Sequence, residues 1–293
     1  IVKKVKSGDK VDIIFNETVF YAESGGQISD KGSIIGDNFS ANLLTSIKYK
    51  LGNDASIYIC NVEVTSGELE TGEYITQNLD LDYRKQICSH HSATHLLHEA
   101  LRQKLGNHVA QKGSLVTDKK LRFDFSHSKP IDLKKLKDIE DEVNHRIFCN
   151  EDVTTKIMSP NKAIENGAIA LFGEKYGDEV RVVSIGNSIE PNRNAWSVEL
   201  CGGTHVKNTS EISTFKILSE TGVSSGVRRI EAITNIAAID FYNSELEKIK
   251  NISNLLNIES SQFVKKIEQI FVENKNINKQ LKQLKMNSMT FDS

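Results

Sequence analysis

The chain has 293 residues, of which 38% are hydrophobic and 26% are charged, the proportions of a globular protein. Lys and Arg number 37 against 39 Asp and Glu, so the formal charge of -2 excludes a broadly cationic nucleic-acid coat, although not a local basic patch. No apolar run approaches the ~18 residues of a membrane span, and no secretory segment opens the chain. The four cysteines have no regular spacing of the kind that disulfide frameworks show, which favours a reducing, cytoplasmic compartment.

Residues 1–82 have the sequence pattern of β structure. Short apolar runs such as 11–15 and 56–64 are separated by glycines that provide turns. Many short strands with glycine between them favour a small barrel or a sandwich. We therefore predict an N-terminal domain resembling a small β-barrel over residues 1–82.

The pattern changes after residue 82 to a mixture of helices and strands. Apolar spacing becomes helical from residue 86 to Gly106, which is a suitable residue to end a helix, and again from 132 to 148. Strands are predicted at 121–125, 179–185, 212–218 and 227–234. Residues 83–240 are therefore predicted to form a two-layer α+β domain with helices on a largely antiparallel sheet.

Apolar residues recur every seven positions in the C-terminal segment, 241–293. Asn274 occupies one apolar position and is of the kind that fixes the register of a coiled coil, while 257–261 interrupt the repeat. The segment is predicted as a coiled coil or a helical hairpin, with self-association through residues 246–284; one helix packed on its own domain is the alternative. The repeat consists of Leu256, Phe263, Ile270, Ile277 and Leu284, with Ile267 and Leu281 four residues after their predecessors.

Two pairs of metal-binding residue types lie far apart in the chain. His91 and His95 are four residues apart on the predicted helix, so both imidazoles share one face. Cys201 and His205 are also four apart, separated by two glycines that make a turn. One thiolate and three imidazoles form a zinc ligand set. Each pair alone is weak evidence, because two histidines are often ordinary polar side chains and Cys201 is also a typical small core residue.

The spacing leaves the role of such a metal open. Four protein ligands complete a tetrahedron, as in structural zinc sites, whereas catalysis needs an open coordination position. One of the four can instead lie outside the coordination shell, with His90 and His98 as possible replacements, or the metal can expand to five ligands. Zinc that only shapes the pocket is the third alternative.

Three further clusters have the chemistry of a ligand pocket. Gly25 and Gly26 precede Gln27 and let the backbone approach a ligand closely, although a plain hairpin turn is the commoner meaning. Residues 110–114 bring together the amide of Gln111, the ammonium group of Lys112 and the hydroxyl of Ser114. Arg228 and Arg229 beside a glycine turn suit phosphate contacts, although an Arg–Glu pair on a solvated face is the commoner meaning.

These motifs together resemble alanyl-tRNA synthetase, and specifically its post-transfer editing domain. The resemblance covers roughly residues 1–240, and the heptads resemble the helical linker that follows in that enzyme. Freestanding editing proteins of the AlaX type share the metal motifs, but a chain that starts at Ile1 and ends in heptads favours a fragment of the full synthetase. The matching segments, in the family's order, are 20–27, 91–98, 109–114, 121–127, 201–205 and 226–232.

The resemblance implies hydrolysis of the ester in seryl- or glycyl-tRNA(Ala), within a ligase that otherwise attaches alanine to tRNA(Ala). ATP and Mg2+ would belong to an aminoacylation domain expected upstream of Ile1, and residues 25–27 would lie near the tRNA 3′ end. A tRNA-binding or assembly module with structural zinc is the alternative. The implied residues are His91, His95, Cys201 and His205 for one Zn2+ per chain, Gln111, Thr94 and Gln27 for catalysis, and Gly25, Gly26, Lys112, Arg228 and Arg229 for tRNA.

Overall fold

The computed structural model describes residues 4–51, 55–169, 177–186 and 195–289. It divides into two compact units, 1–239 and 240–293. The fold is the predicted mixture of helices and antiparallel sheets, and it ends in a long helix.

The first six strands form one antiparallel sheet. They are β1 (Lys4–Lys6), β2 (Lys10–Ile13), β3 (Gly32–Gly36), β4 (Phe39–Leu51), β5 (Ala55–Glu70) and β6 (Thr76–Leu79). The strand order is β1-β5-β4-β3-β6, and β2 pairs with another stretch of β5. Fully buried Ile34, Ala41 and Val62 lie in its core, because alternate residues of these strands face inward.

The described strands do not close this sheet into a barrel, so the predicted barrel of residues 1–82 is unconfirmed. Strands β1 and β2 share one edge of β5, and β6 ends the opposite side of the sheet. Closure would require a ladder between these two sides. The side chain of Gln77 on β6 instead accepts a hydrogen bond from the backbone N–H of Val19 and donates one to the carbonyl of Glu17.

Residues 81–234 form helices packed on two further antiparallel sheets. The helices are α1 (Leu81–Leu105), α2 (Leu133–Phe148) and the short α3 (Pro160–Glu165). The strands are β7 (Gln111–Val116), β8 (Leu121–Ser126), β9 (Val153–Met158), β10 (Val180–Ile185), β11 (Ser197–Leu200), β12 (Phe215–Ser224) and β13 (Val227–Thr234). Their orders are β12-β13-β8-β7 and β11-β10-β9, so the predicted layer of helices on antiparallel sheet is confirmed.

Helix α1 has defined ends and an unusual buried face. The Asp80 side chain caps its first turn by accepting from the Tyr83 N–H, and Gly106 ends it with a φ of 117°. Leu97 and Leu101 pack with Phe123 of β8 in one apolar cluster. Four histidines of the same helix are also buried, at positions 90, 91, 95 and 98. Buried imidazoles require partners, so this face of α1 marks a polar site.

The second unit contains most of α4 (Asn235–Leu256), a 3-10 turn (Ser260–Gln262) and α5 (Phe263–Met289). The predicted interruption at 257–261 is a helix break, with Asn257 at a φ of 50°. The heptad side chains of α5 from Ile267 to Leu284 are 41% to 65% exposed, so their coiled-coil pairing stays a prediction. Of the helices described, none combines the length and apolar character needed to cross a membrane.

Candidate metal centre

The fold brings the two predicted half-sites together. His91 and His95 project from α1, and Cys201 and His205 follow β11 in a turn. One donor atom from each residue lies within 4.8 Å of all the others. The Sγ of Cys201 is 3.3 Å from Nε2 of His91 and 3.3 Å from Nε2 of His205. This His/Cys cluster could hold a metal ion.

Two imidazoles of the cluster, those of His91 and His205, have an oxygen atom from a distant part of the chain beside their Nδ1 atom. Nδ1 of His91 lies 2.6 Å from Oε1 of Gln27, and this oxygen also accepts from the Thr204 N–H. Nδ1 of His205 lies 3.1 Å from the hydroxyl of Ser92. An Nδ1–H donated outward leaves the Nε2 lone pair directed at the cluster, which is the form that binds a metal.

The third imidazole is held by a buried carboxylate. Nδ1 of His95 lies 2.9 Å from Oε2 of Glu199, an ion-pair distance, although the angle departs from that of a regular hydrogen bond. The other oxygen of Glu199 lies 3.2 Å from Nδ1 of His98 and accepts from the Ser197 hydroxyl at 3.0 Å. Glu199 is only 6% exposed, so its charge interacts strongly with both imidazoles.

The cluster fits zinc by the chemistry of its donors. Nε2 of His95 is buried and has no hydrogen-bond partner among the described residues. A buried polar nitrogen left unpaired costs about 1–3 kcal/mol, and coordination of a cation by this nitrogen would remove that cost. One thiolate and three imidazoles are the donors that a tetrahedral zinc site uses, so the residues present fit this metal.

The electrostatics favour the ligand forms of Cys201 and His205. Burial alone would raise the pKa of Cys201, but the imidazoles of His91 and His205 hold that pKa well below its usual value. Burial lowers the pKa of His205 to about 3, which keeps its imidazole neutral. For His95, burial is outweighed by Glu199 and Cys201, and the pKa rises to about 10. A metal that binds His95 therefore releases a proton.

The turn that carries Cys201 is held by an arginine and needs a glycine. Nη1 of Arg181 donates to the carbonyls of Cys201 at 2.9 Å and of Gly203 at 2.6 Å. A Cβ on Gly203 would lie 2.0 Å from Cε1 of His91. Only glycine therefore lets the turn approach the His91 ring this closely.

The predicted glycine loop packs against the edge of β7. The carbonyl of Gly26 accepts from the Val116 N–H at 2.7 Å. Gly26 has a φ of 81°, and a Cβ there would lie 2.4 Å from the Ser114 carbonyl oxygen. Gly25, with a φ of 59°, lines the cavity beside the metal cluster.

This cavity has a volume of about 250 Å³, and both polar and apolar groups line it. Its walls include Tyr21, Gly25, Thr94, His98, Gln111, Ser114 and Glu199, together with His91, His95 and Cys201. Two residues predicted to be catalytic, Thr94 and Gln111, therefore face the same space as the metal ligands. A larger groove of about 630 Å³ is lined by Arg146 and Trp196 and by none of the four ligands, so it is separate from this chemistry.

The other predicted site residues are placed differently. Gln27 is fully buried and binds His91 rather than lining the cavity. Lys112 is exposed at the surface. Arg228 pairs with Glu220, and Arg229 makes a two-bond contact with Asp124 at 2.6 and 2.8 Å. The catalytic and tRNA-binding roles of these residues stay predictions.

The structure adds Glu199, which the sequence interpretation did not assign, and gives His98, named there only as a possible replacement ligand, a contact with Glu199. Glu199 lies near the end of β11, two positions before Cys201 in the following turn, and both residues line the cavity. His98 follows His95 by three positions on a helix, which also places it on the shared face. No sequence signal links Ser92 to His205 or Arg181 to the Cys201 turn, because those contacts arise only in the folded chain.

Two segments of the chain match models of known protein families. Residues 180–231, which contain Cys201 and His205, match the threonyl and alanyl tRNA synthetase second additional domain. Residues 1–83, which contain the glycine loop, match tRNA synthetases of class II (A). The matches fit an alanyl- or threonyl-tRNA synthetase-type editing fragment.

Both models describe domains of tRNA synthetases, so the matched segments support an enzyme of the tRNA synthetase kind and tRNA as a partner. His91 and His95 lie between the two matched segments. Their link to Cys201 and His205 therefore comes from the geometry of the cluster rather than from the family matches.

Proposed function

We propose that the chain is the editing part of an alanine–tRNA ligase and hydrolyses the ester bond of seryl- and glycyl-tRNA(Ala). The observation that carries the proposal is the convergence of four donor atoms within 4.8 Å of one another, beside a cavity of about 250 Å³. Alanine is favoured over threonine as the cognate amino acid because six sequence segments resemble the alanyl enzyme in the same order.

His91, His95, Cys201 and His205 would hold one zinc ion per chain. The chemistry that zinc supplies in such a site is polarisation of a carbonyl and activation or positioning of water. The chain itself supplies the pocket: Gln111 and Ser114 from β7 form one wall, and Gly25 allows close approach of the aminoacyl end of the tRNA.

A second site of this kind has a physical rationale. Serine exceeds alanine by one hydroxyl group, and a single small group lets a first pocket discriminate by only about 1–3 kcal/mol. The Thr94 hydroxyl already donates to the His90 carbonyl at 2.9 Å, which leaves its oxygen free to accept from a serine hydroxyl. Alanine would leave such polar groups without a partner, so the cavity favours the serine ester over the alanine ester. The glycine ester enters the proposal through the resemblance to the alanyl enzyme and not through this contact.

Deacylation of mischarged tRNA tests the proposal directly. Seryl-, glycyl- and alanyl-tRNA(Ala) are incubated with the wild-type chain and with Cys201→Ala, and circular dichroism checks that both proteins fold. We expect release of serine and glycine, retention of alanine, and loss of release in the variant. A folded, zinc-loaded wild-type chain that binds tRNA without releasing any amino acid would contradict the proposal and favour a binding module with structural zinc.

A further inference from the structure

One buried histidine in the cavity is not a metal ligand and lacks a second partner. His98 lies on α1 close to His95, is 1% exposed, and packs its ring 5.1 Å from the ring of Phe123. Its Nδ1 is 3.2 Å from Oε1 of Glu199. Its Nε2 is buried and has no hydrogen-bond partner among the described residues, and the side chain lines the cavity.

The carboxylate of Glu199 determines which nitrogen of His98 carries the proton. This carboxylate is fixed on three sides, by His95, His98 and the Ser197 hydroxyl. Donation of Nδ1–H from His98 to the carboxylate leaves a lone pair on Nε2. A carboxylate that orients an imidazole in this way is the usual arrangement of a histidine general base.

The other groups that line the cavity are poorer proton acceptors. His91, His95 and Cys201 are committed to the metal cluster. Burial raises the pKa of Tyr21 to about 12, so its hydroxyl stays protonated. The carboxylate of Glu199 is already engaged by His95, His98 and the Ser197 hydroxyl. The other polar walls include hydroxyl and amide groups, which do not take up a proton near neutral pH. His98 is therefore the acceptor that the geometry favours among the described lining residues.

We infer that His98 is the general base of the hydrolysis, held in position by Glu199; this inference rests on the proposed function. Nε2 of His98 removes a proton from water while the water oxygen attacks the ester carbonyl carbon, whose π electrons move to the carbonyl oxygen. When the carbonyl re-forms, the bond to the ribose oxygen breaks. That oxygen takes the proton from His98, which yields the free amino acid and the tRNA hydroxyl.

The substitution His98→Asn separates this role from a structural one. The asparagine amide can still donate to Glu199 but cannot accept a proton. We expect kcat for seryl-tRNA(Ala) to fall by about 10²–10⁴-fold, the usual contribution of a general base. His145→Asn, on the exposed part of α2, is the matched control and should retain wild-type kcat.

Two further readouts show whether the site itself is intact. The first is the zinc content of the variant, and the second is its Kd, from calorimetry, for a seryl-adenosine analogue that has an amide in place of the ester. Both should stay within about threefold of wild type, because a general base acts on kcat rather than on binding. His98→Gln is measured alongside, so that misfolding of one variant does not decide the result.

The outcomes distinguish the inference from the function on which it rests. A folded His98→Asn protein that keeps kcat within about threefold of wild type overturns the inference and leaves the editing function standing. Loss of zinc from both His98 variants also overturns it, because His98 would then act through the metal cluster. Failure of the wild-type chain to hydrolyse any mischarged tRNA overturns the proposed function, and the inference falls with it.

Discussion

Gln27 and His91 are 64 positions apart in sequence, yet Oε1 of Gln27 lies 2.6 Å from Nδ1 of His91. Gln27 belongs to the glycine loop that precedes β3, and His91 belongs to α1. The loop therefore does more than approach a ligand, because its amide orients one of the four metal donors. This contact joins the segment that matches class II synthetases to the helix that supplies half of the metal cluster.

Gln27→Ala should weaken zinc binding about 10–100-fold, the usual effect of removing an outer partner of a metal-binding histidine. The variant removes the acceptor of His91 Nδ1–H and of the Thr204 N–H. Competition with a chromophoric chelator measures the change. Gln103→Ala, at an exposed position on α1, is the control, and equal zinc affinities in the two variants would refute this role of Gln27.

Gly203→Ala should reduce zinc occupancy more than Gly202→Ala does. A Cβ at Gly203 would lie 2.0 Å from Cε1 of His91 and 2.8 Å from Oε1 of Gln27, whereas a Cβ at Gly202 meets nothing within 4 Å. The alanine at 203 must therefore displace a metal ligand or its partner. Zinc per chain, measured by atomic emission on both folded variants, tests this; similar occupancy would show that the turn adjusts freely.

His90→Ala should destabilise the fold while leaving one zinc bound per chain. Nδ1 of His90 contacts the Thr117 carbonyl at 2.8 Å, and Nε2 accepts from the Thr234 N–H at 3.1 Å. Each buried group left unpaired costs about 1–3 kcal/mol. Urea unfolding measures the free energy of unfolding, and metal analysis is made on the same sample. Loss of zinc without loss of stability would identify His90 as a ligand.

Lys112→Ala should weaken tRNA binding. The slope of the logarithm of the binding constant against the logarithm of the salt concentration should also become shallower by about 1, as expected for one lost phosphate contact. Lys112 is exposed and follows cavity-lining Gln111. Lys134→Ala, exposed on α2, is the control for a general effect of charge. Filter binding at several salt concentrations distinguishes them, and identical slopes would place the tRNA elsewhere.

The sequence predicted the four residues of the His/Cys cluster because its signals are local. A spacing of four on a helix puts His91 and His95 on one face, and the glycines after Cys201 identify a turn. The break after α4 was predictable for the same reason, since residues 257–261 interrupt a regular repeat. Each of these features depends on a few neighbouring residues, so periodicity and turn chemistry suffice.

The partners of the cluster could not be predicted in the same way. Ser92 contacts His205 and Gln27 contacts His91 only because separate elements pack together. Closure of the N-terminal sheet could not be predicted for a related reason, since strand periodicity indicates which face is buried but not which edges pair. The ion pair of Arg229 with Asp124 joins neighbouring strands, and only the observed register brings them together.

Reconstitution of the metal-free chain with zinc tests the central claim most directly. Chelator-treated protein receives zinc in steps, and seryl-tRNA(Ala) hydrolysis is measured at each step beside Cys201→Ala. The account predicts that activity rises in proportion to bound zinc and reaches its maximum at one ion per chain, with no recovery in the variant. Full hydrolysis by the metal-free chain, or a fully loaded chain without hydrolysis, would contradict it.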